Sequence, residues 1–205
     1  MSGPLAVNAF LVAWCALGLA LVRRAECTVA ASAPPAPWRA LALGAAVASL
    51  AVLLRPVPAA AACGTACIAL VVASGPDART GLLFDAITLP AAALVAALAI
   101  ATGTTQTAAW GVALLVGGFG TVVVASRGRY LGLGDVKAMY AIGAAFGPFE
   151  SLVAIFAACI SGIVAATLRG RLVRGAELRF GPHLAIGSTF ALVAGDPIVH
   201  RFLGL

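Results

Sequence analysis

The sequence predicts an all-α fold, a polytopic bundle of about eight transmembrane helices in which one helix is short or broken. Hydrophobic residues make up 62% of the chain, and only 20 of its 205 residues are Asp, Glu, Lys or Arg. A water-soluble domain of this length has no core large enough for so much apolar surface. Because a backbone in lipid must satisfy its own hydrogen bonds, helices are the expected spanning elements. The lipid bilayer is therefore the predicted solvent of a single integral membrane domain, residues 1–205.

Eight apolar segments can be distinguished along the chain. They cover residues 4–22, 39–54, 57–74, 84–101, 108–125, 136–148, 150–168 and 182–202. A helix that crosses a bilayer needs about 20 residues. The sixth segment is shorter than that, so we predict that it is tilted, broken or shielded from lipid by protein.

The distribution of basic residues predicts the orientation of the helices. No basic residue precedes the first segment and Arg23 and Arg24 follow it, the reverse of a secretory signal, so it is expected to be a retained helix with its N-terminus outside. The cytoplasmic loops are then those near 23–39, 75–83, 126–137 and 169–181. They hold eleven of the thirteen Lys and Arg residues, whereas the opposite side holds only Arg55 and Arg201. This bias follows the positive-inside rule and supports the predicted orientation.

Charge and cysteine usage exclude several classes of function. The net charge of +6 comes from basic residues scattered between apolar segments, so no nucleic-acid partner is predicted. The five cysteines form no CxxC pair and have no metal-ligand spacing with histidine. They are interpreted as small buried packing residues: Cys15, Cys27, Cys63, Cys67 and Cys159. We expect neither a metal nor a cofactor.

Three of the seven acidic residues carry the functional interest. The other four are interpreted as solvated loop residues or helix caps: Glu26, Glu150, Glu177 and Asp196. Asp77, Asp85 and Asp135 each lie at the predicted cytoplasmic end of an apolar segment. Carboxylates near lipid normally face a bundle interior or a water-filled cavity, because their burial in lipid is costly. The alternative interpretations are a helix-end or turn residue for Asp77, in "SGPDARTG", and a helix N-cap for Asp135.

The stretch "GLGD" at 132–135 indicates what chemistry two such carboxylates could perform. Gly132 and Gly134 permit unusual backbone angles and the close approach of another part of the chain. Two neighbouring carboxylates share a proton, because like charges disfavour each other. The ionised one activates water and the neutral one polarises a scissile carbonyl, which is aspartic-protease chemistry. No nucleophile motif is present, and His183 is interpreted as a structural residue.

Three stretches follow one another in the second half of the chain: "PDARTGLLFDAITLPAAAL", "GLGDVKAMYAIGAAFG" and "LRFGPHLAIGSTFAL". They resemble, in the right order, the first aspartate segment, the GxGDxK segment and the C-terminal Phe-Gly-Pro-x-Leu-Ala-x-Gly helix of the type IV prepilin peptidases. These are bacterial membrane aspartic proteases. The motif-bearing region covers about 60–200. A single GxGD would be a weak signal, whereas the ordered set is specific.

The resemblance implies catalysis by Asp77 and Asp135, with Gly132, Gly134 and Lys137 as the framework of the site. It implies cleavage of the basic leader of prepilins or pseudopilins, just before their apolar helix. It also implies a multi-pass protein of the bacterial cytoplasmic (inner) membrane whose active site faces the cytoplasm. Asp85 falls on the turn position of the first motif and is not expected to be catalytic.

Two features depart from the family pattern. Phe84 stands where the family usually has proline. Long members carry a cytoplasmic domain with repeated CxxC pairs after the first helix, associated with N-methylation of the new N-terminus. Here residues 25–38 stand in its place, so the chain resembles the short type that serves Flp/Tad pili. N-methyltransferase activity is therefore not part of the expectation.

Two other classes of function stay open from the sequence. One is a small transporter or channel component that binds protons or cations through Asp77 and Asp135. The other is a catalytically silent scaffold of a pilus system. The sequence specifies neither the substrate pilin nor the oligomeric state.

Overall fold

A computed structural model describes residues 3–29, 38–83, 85–129, 131–170 and 179–204. Within these ranges the chain forms seven α-helices and no strand. The helices are α1 (Gly3–Val29), α2 (Trp38–Leu54), α3 (Val57–Thr80), α4 (Asp85–Ala101), α5 (Thr105–Ser126), α6 (Leu133–Leu168) and α7 (Gly181–Leu203). The predicted all-α class is confirmed. Phe84 and most of the loop at 25–38 lie outside the described residues.

Four of these helices are long and apolar enough to cross a membrane. They are α1, over Gly3–Cys27, and the whole of α3, α5 and α6. Two shorter apolar helices, Arg39–Leu54 and Asp85–Ala101, accompany them. The chain is therefore a multi-pass helical membrane protein, as its composition predicts.

Helix α6 contains both the sixth and the seventh predicted apolar segments. Its regular geometry is interrupted at Gly147, which has φ 69° and ψ −173°, a conformation that a residue with a Cβ atom rarely adopts. Pro148 follows and has no N–H to donate to the preceding turn. We refer below to the first part of α6 (133–146) and the second part of α6 (148–168).

Contacts at the two ends of α3 show that the chain reverses direction at this break. Near the start of α3, Cys63 Sγ lies 3.4 Å from the carbonyl oxygen of Ala145. Arg55, just before α3, pairs with Glu150 on the other side of the break. Just beyond the far end of α3, Cβ of Leu83 would lie 3.0 Å from a Cβ atom at Gly134, in the first turn of α6. The first part of α6 thus runs antiparallel to α3, and the chain turns back after it.

All eight predicted apolar segments are therefore helical, but the described residues form seven helices because the sixth and seventh segments are both part of α6. The sixth segment is short, as expected, and it joins the seventh through the break rather than through a loop.

Helix α3 lies at the centre of the bundle. Two-thirds of its apolar stretch is buried inside the protein, a larger share than in α1, α5 or α6. It contacts α1, α2, α4, α6 and α7. Small residues allow helices to pack closely in membranes. At Gly111 of α5, an added Cβ atom would come within 2.0 Å of the carbonyl oxygen of Gly143, so only glycine allows this contact with α6.

Two ion pairs correct the sequence-based interpretation of the acidic residues. Glu26 is only 4% exposed and binds Arg79, so it is not a solvated loop residue. Glu150 accepts two hydrogen bonds from Arg55, at 3.1 and 2.5 Å, and is not solvated either. Asp196 is exposed near the end of α7, as predicted. Glu177 lies outside the described residues.

The cysteines agree only in part with the interpretation as buried packing residues. Cys15, Cys63 and Cys67 are buried and fit it. Cys27 and Cys159 are exposed, so it is wrong for these two. The apolar pattern did not distinguish the lipid-facing side of a helix from its protein-facing side.

Candidate active site

Asp77 lies in the last turn of α3 and is 5% exposed. The helix ends at Thr80, three residues later, because Gly81 adopts the left-handed conformation, with φ 71°. The N–H of Gly81 donates to the carbonyl oxygen of Asp77 at 2.9 Å, which closes the final turn. The candidate catalytic carboxylate is thus a helix-end residue, at the end of the helix that lies at the centre of the bundle.

The first residue of α7 binds Asp77 directly. The N–H of Gly181 donates to Oδ2 of Asp77 at 3.0 Å. A Cβ atom at Gly181 would lie 2.7 Å from that oxygen and 2.8 Å from Cδ1 of Leu83, so glycine is required for this approach. The positive end of the α7 dipole also favours a negative charge at this position. This role of Gly181 was not predicted, although a glycine before a proline at a helix start was an available signal.

Asp135 is the third residue of α6 and is partly buried. The N–H of Gly132, the N-cap residue, donates to Oδ2 of Asp135 at 3.3 Å. Asp135 therefore occupies the acidic position of a capping box and is not the N-cap itself. Leu83 lies beside both Gly134, which precedes Asp135, and Gly181, whose N–H binds Asp77. The two candidate aspartates therefore lie at the same end of the bundle, around one leucine.

The two glycines of "GLGD" differ in what they contribute. A Cβ atom at Gly134 would lie 3.0 Å from Cβ of Leu83, so this glycine allows the predicted close approach of another part of the chain. Gly132 has φ −80° and ψ 153°, an ordinary extended conformation. The unusual backbone angles that glycine permits are therefore not adopted at Gly132.

Lys137 pairs with Asp85 at the edge of the site. Its Nζ atom lies 2.7 Å from both carboxylate oxygens of Asp85, and both side chains are about half exposed. The pair joins the first turn of α6 to the start of α4. Both residues thus have a structural partner, which agrees with a framework role for Lys137 and a non-catalytic one for Asp85.

Other side chains around Asp77 were not identified from the sequence. Arg79, two positions after Asp77, pairs with Glu26 of α1. Arg179 donates to the carbonyl oxygen of Ala78, the residue that follows Asp77. His183 is buried, and its Nδ1 atom lies 3.0 Å from Oγ of Ser161 on the second part of α6. Single Glu, Arg and Ser residues carry no spacing pattern that predicts such contacts across the bundle.

The site contains two carboxylates, Asp77, which is buried, and Asp135, which is partly buried. Each accepts a hydrogen bond from a backbone N–H group. Such a pair can hold one shared proton, and in that state it provides a base and an acid side by side. Among the described residues, no group of three or more His, Cys, Asp or Glu side chains is arranged to hold a metal ion. The residue types present are those of an aspartic protease.

Comparison with known proteins gives the class to which this fold and site belong. Residues 64–167 match the family model described as the type IV leader peptidase family. The match covers half of the chain and includes both Asp77 and Asp135. The chain belongs to the type IV leader peptidase family.

The chain is also similar to two curated proteins of Burkholderia pseudomallei, from strains 1026b and K96243. Each is named prepilin leader peptidase/N-methyltransferase and is 35% identical over 183 residues. The similarity covers 78% of this chain and 55% of each relative, so the chain spans about half their length. No solved structure matches the chain.

Proposed function

We propose that this protein is a membrane aspartic endopeptidase that removes the basic leader of prepilins or pseudopilins. The observation that carries the proposal is that Asp77 and Asp135, 58 positions apart in the sequence, lie where the ends of α3, α6 and α7 meet around Leu83. Family membership and the names of the two relatives support the same reaction. The proposal concerns peptide cleavage and does not extend to methyl transfer.

In the proposed reaction the aspartate pair begins with one shared proton. The ionised carboxylate takes a proton from a water molecule, whose oxygen attacks the carbonyl carbon of the scissile bond. The protonated carboxyl group donates its proton to the carbonyl oxygen, which gives a neutral tetrahedral intermediate. When the intermediate collapses, the C–N bond breaks and the nitrogen takes the proton that the first carboxylate had accepted from water. One hydroxyl group of the intermediate gives its proton to the other carboxylate, so the pair again holds one proton. It leaves as the new N-terminal amine of the mature pilin, and the leader leaves with a new carboxyl group.

The backbone contacts support this use of the pair. The N–H groups of Gly181 and Gly132 each bind one of the two carboxylates, at 3.0 and 3.3 Å. These bonds fix the positions of the two side chains before substrate arrives. Such preorganisation is a large contribution to enzymatic rates.

The proposed location is the cytoplasmic face of the bacterial inner membrane. Exposed arginines lie at the end of the bundle that carries the aspartates, among them Arg79, Arg127, Arg129 and Arg179. At the opposite end, Arg55 is paired with Glu150. The positive-inside rule assigns the arginine-rich end to the cytoplasm, where a basic leader would be located.

The experiment that tests the function uses the full chain in membranes and a substrate with a basic leader followed by an apolar helix. We expect one cut between these two parts, detected by the masses of both products. Membranes that lack the protein serve as the control. A substrate left intact under these conditions would contradict the proposed function.

A further inference from the structure

The second part of α6 and α7 form an open apolar groove of about 980 Å³ on the outside of the bundle. Its lining is almost entirely apolar and includes Leu152, Phe156, Ile160, Ile186, Phe190 and Phe202. Phe156 is 69% exposed and Phe202 is 82% exposed, so these rings face away from the protein core. In a membrane this groove opens towards lipid.

One end of the groove lies close to the aspartate site. Ser161 lines the groove, and its Oγ atom lies 3.0 Å from Nδ1 of His183. His183 is two positions after Gly181, whose N–H binds Asp77. The first groove residue on α7, Ile186, is five positions after Gly181, which is about one and a half turns.

The length of the groove fits a helix that starts at the membrane surface. From Leu152 to Val164, both in its lining, the second part of α6 rises about 18 Å at 1.5 Å per residue. A helix lying along it would place about 12 residues in contact with the groove. That is more than half of a membrane span.

We propose that this groove holds the apolar helix of the prepilin substrate, parallel to α7, with the peptide bond before that helix delivered to Asp77 and Asp135. This inference rests on the proposed function, because it takes the substrate to be a leader followed by an apolar helix. The groove provides an apolar surface long enough for the substrate helix. Ser161 and its partner His183 lie near the end of the groove that is closer to the carboxylates, where the substrate would leave the apolar surface.

Cys159 provides a natural probe, since it is exposed and lines the groove. The experiment uses the full chain with Asp135→Asn, to keep the substrate uncut, and Cys27→Ser, to remove the other exposed cysteine. Single cysteines are placed along the apolar helix of the substrate, and disulfides are formed in membranes by a mild oxidant. We expect reducible adducts with Cys159 that recur every three or four substrate positions, as one helix face requires.

A matched control moves the cysteine to another lipid-facing helix. In this variant Cys159→Ala is combined with Leu114→Cys, at a residue 41% exposed in the middle of α5. We expect severalfold less adduct than with Cys159. Equal adduct at the two positions would mean that the substrate helix only diffuses in lipid around the protein, and would overturn the proposal.

The orientation of the bound helix gives a second readout. With Val164→Cys the adducts should form near the cleavage site, and with Leu152→Cys about 12 substrate positions further on. The reverse order would overturn the proposal.

The cleavage assay separates the two claims. If the wild-type chain cuts the substrate but no groove position forms an adduct, the groove assignment is wrong and the proposed function stands. If the wild-type chain does not cut the substrate, both are wrong.

Discussion

The N–H of Gly181 donates a 3.0 Å hydrogen bond to Oδ2 of Asp77, across 104 positions of sequence. This bond links the last of the three motifs to the first. Leu83 packs beside both Gly181 and Gly134, so the same leucine touches the starts of α7 and α6. The site is thus built where three helix ends meet, and its geometry depends on two glycines.

Gly181→Ala should therefore lower leader cleavage strongly while the protein remains in the membrane. The added Cβ atom would lie 2.7 Å from Oδ2 of Asp77, so α7 or the carboxylate must move. A displacement of about 1 Å can cost about 100-fold in rate. The measurement is the cleavage rate per amount of folded protein.

Gly75→Ala is the matched control for that variant: Gly75 lies two positions before Asp77 in α3, and nothing lies within 4 Å of a Cβ atom at this position. It should cleave at close to the wild-type rate. Equal losses in both variants would show that the contact between Gly181 and Asp77 has no special importance.

The pair of Lys137 and Asp85 should matter less than the aspartate pair. Both side chains are about half exposed, and exposed ion pairs contribute about 0.2–1 kcal/mol. Asp85→Asn and Lys137→Gln should therefore each lower cleavage by no more than about fivefold. Rates from initial product formation provide the measurement. Complete loss in Asp85→Asn would mean that Asp85, rather than Asp77, is a catalytic carboxylate.

Arg55 and Glu150 should stabilise the fold at the opposite end of the bundle. Their side chains are 8% and 18% exposed, and Arg55 also donates to the carbonyl oxygens of Ala191 and Leu192, at 2.9 and 3.2 Å. Removing one partner of a buried pair typically costs about 3–5 kcal/mol. The Glu150→Ala variant should thus have a clearly lower thermal unfolding temperature in detergent than the wild-type protein.

Asp196→Ala provides the comparison for Glu150→Ala. Asp196 pairs with His200, and both of these side chains are more than half exposed. Its unfolding temperature should stay near that of the wild type. An unchanged temperature in Glu150→Ala would contradict the role assigned to the Arg55 pair.

The orientation can be tested by labelling single cysteines from outside the cell. The background carries Cys27→Ser and Cys159→Ser, which removes the two cysteines that are exposed. Arg129→Cys, three positions before Gly132, should be protected from an impermeant reagent, and Arg201→Cys should react. Reaction of position 129 from outside would place the aspartates on the wrong side of the membrane for a basic cytoplasmic leader.

The fold class could be predicted because apolar segment lengths are a local signal. The candidate aspartates were chosen in two steps: Asp77, Asp85 and Asp135 stood out because a carboxylate beside lipid is costly, and the family resemblance then favoured Asp77 and Asp135. The break at Gly147–Pro148 was less predictable, since the sequence showed a short segment without showing how it ends. The contacts of Gly181, Glu26 and Glu150 were missed because each joins helices far apart in sequence, and no residue spacing encodes such pairings.

The central claim is that Asp77 and Asp135 act together, and single substitutions test it most directly. Asp77→Asn and Asp135→Asn keep the size of each side chain but cannot share a proton as a carboxylate pair does. Each should abolish leader cleavage in a gel-mobility assay with co-expressed substrate, at wild-type protein levels in the membrane, whereas Asp85→Asn should retain substantial cleavage. Full processing of the substrate by either Asp77→Asn or Asp135→Asn would contradict the claim.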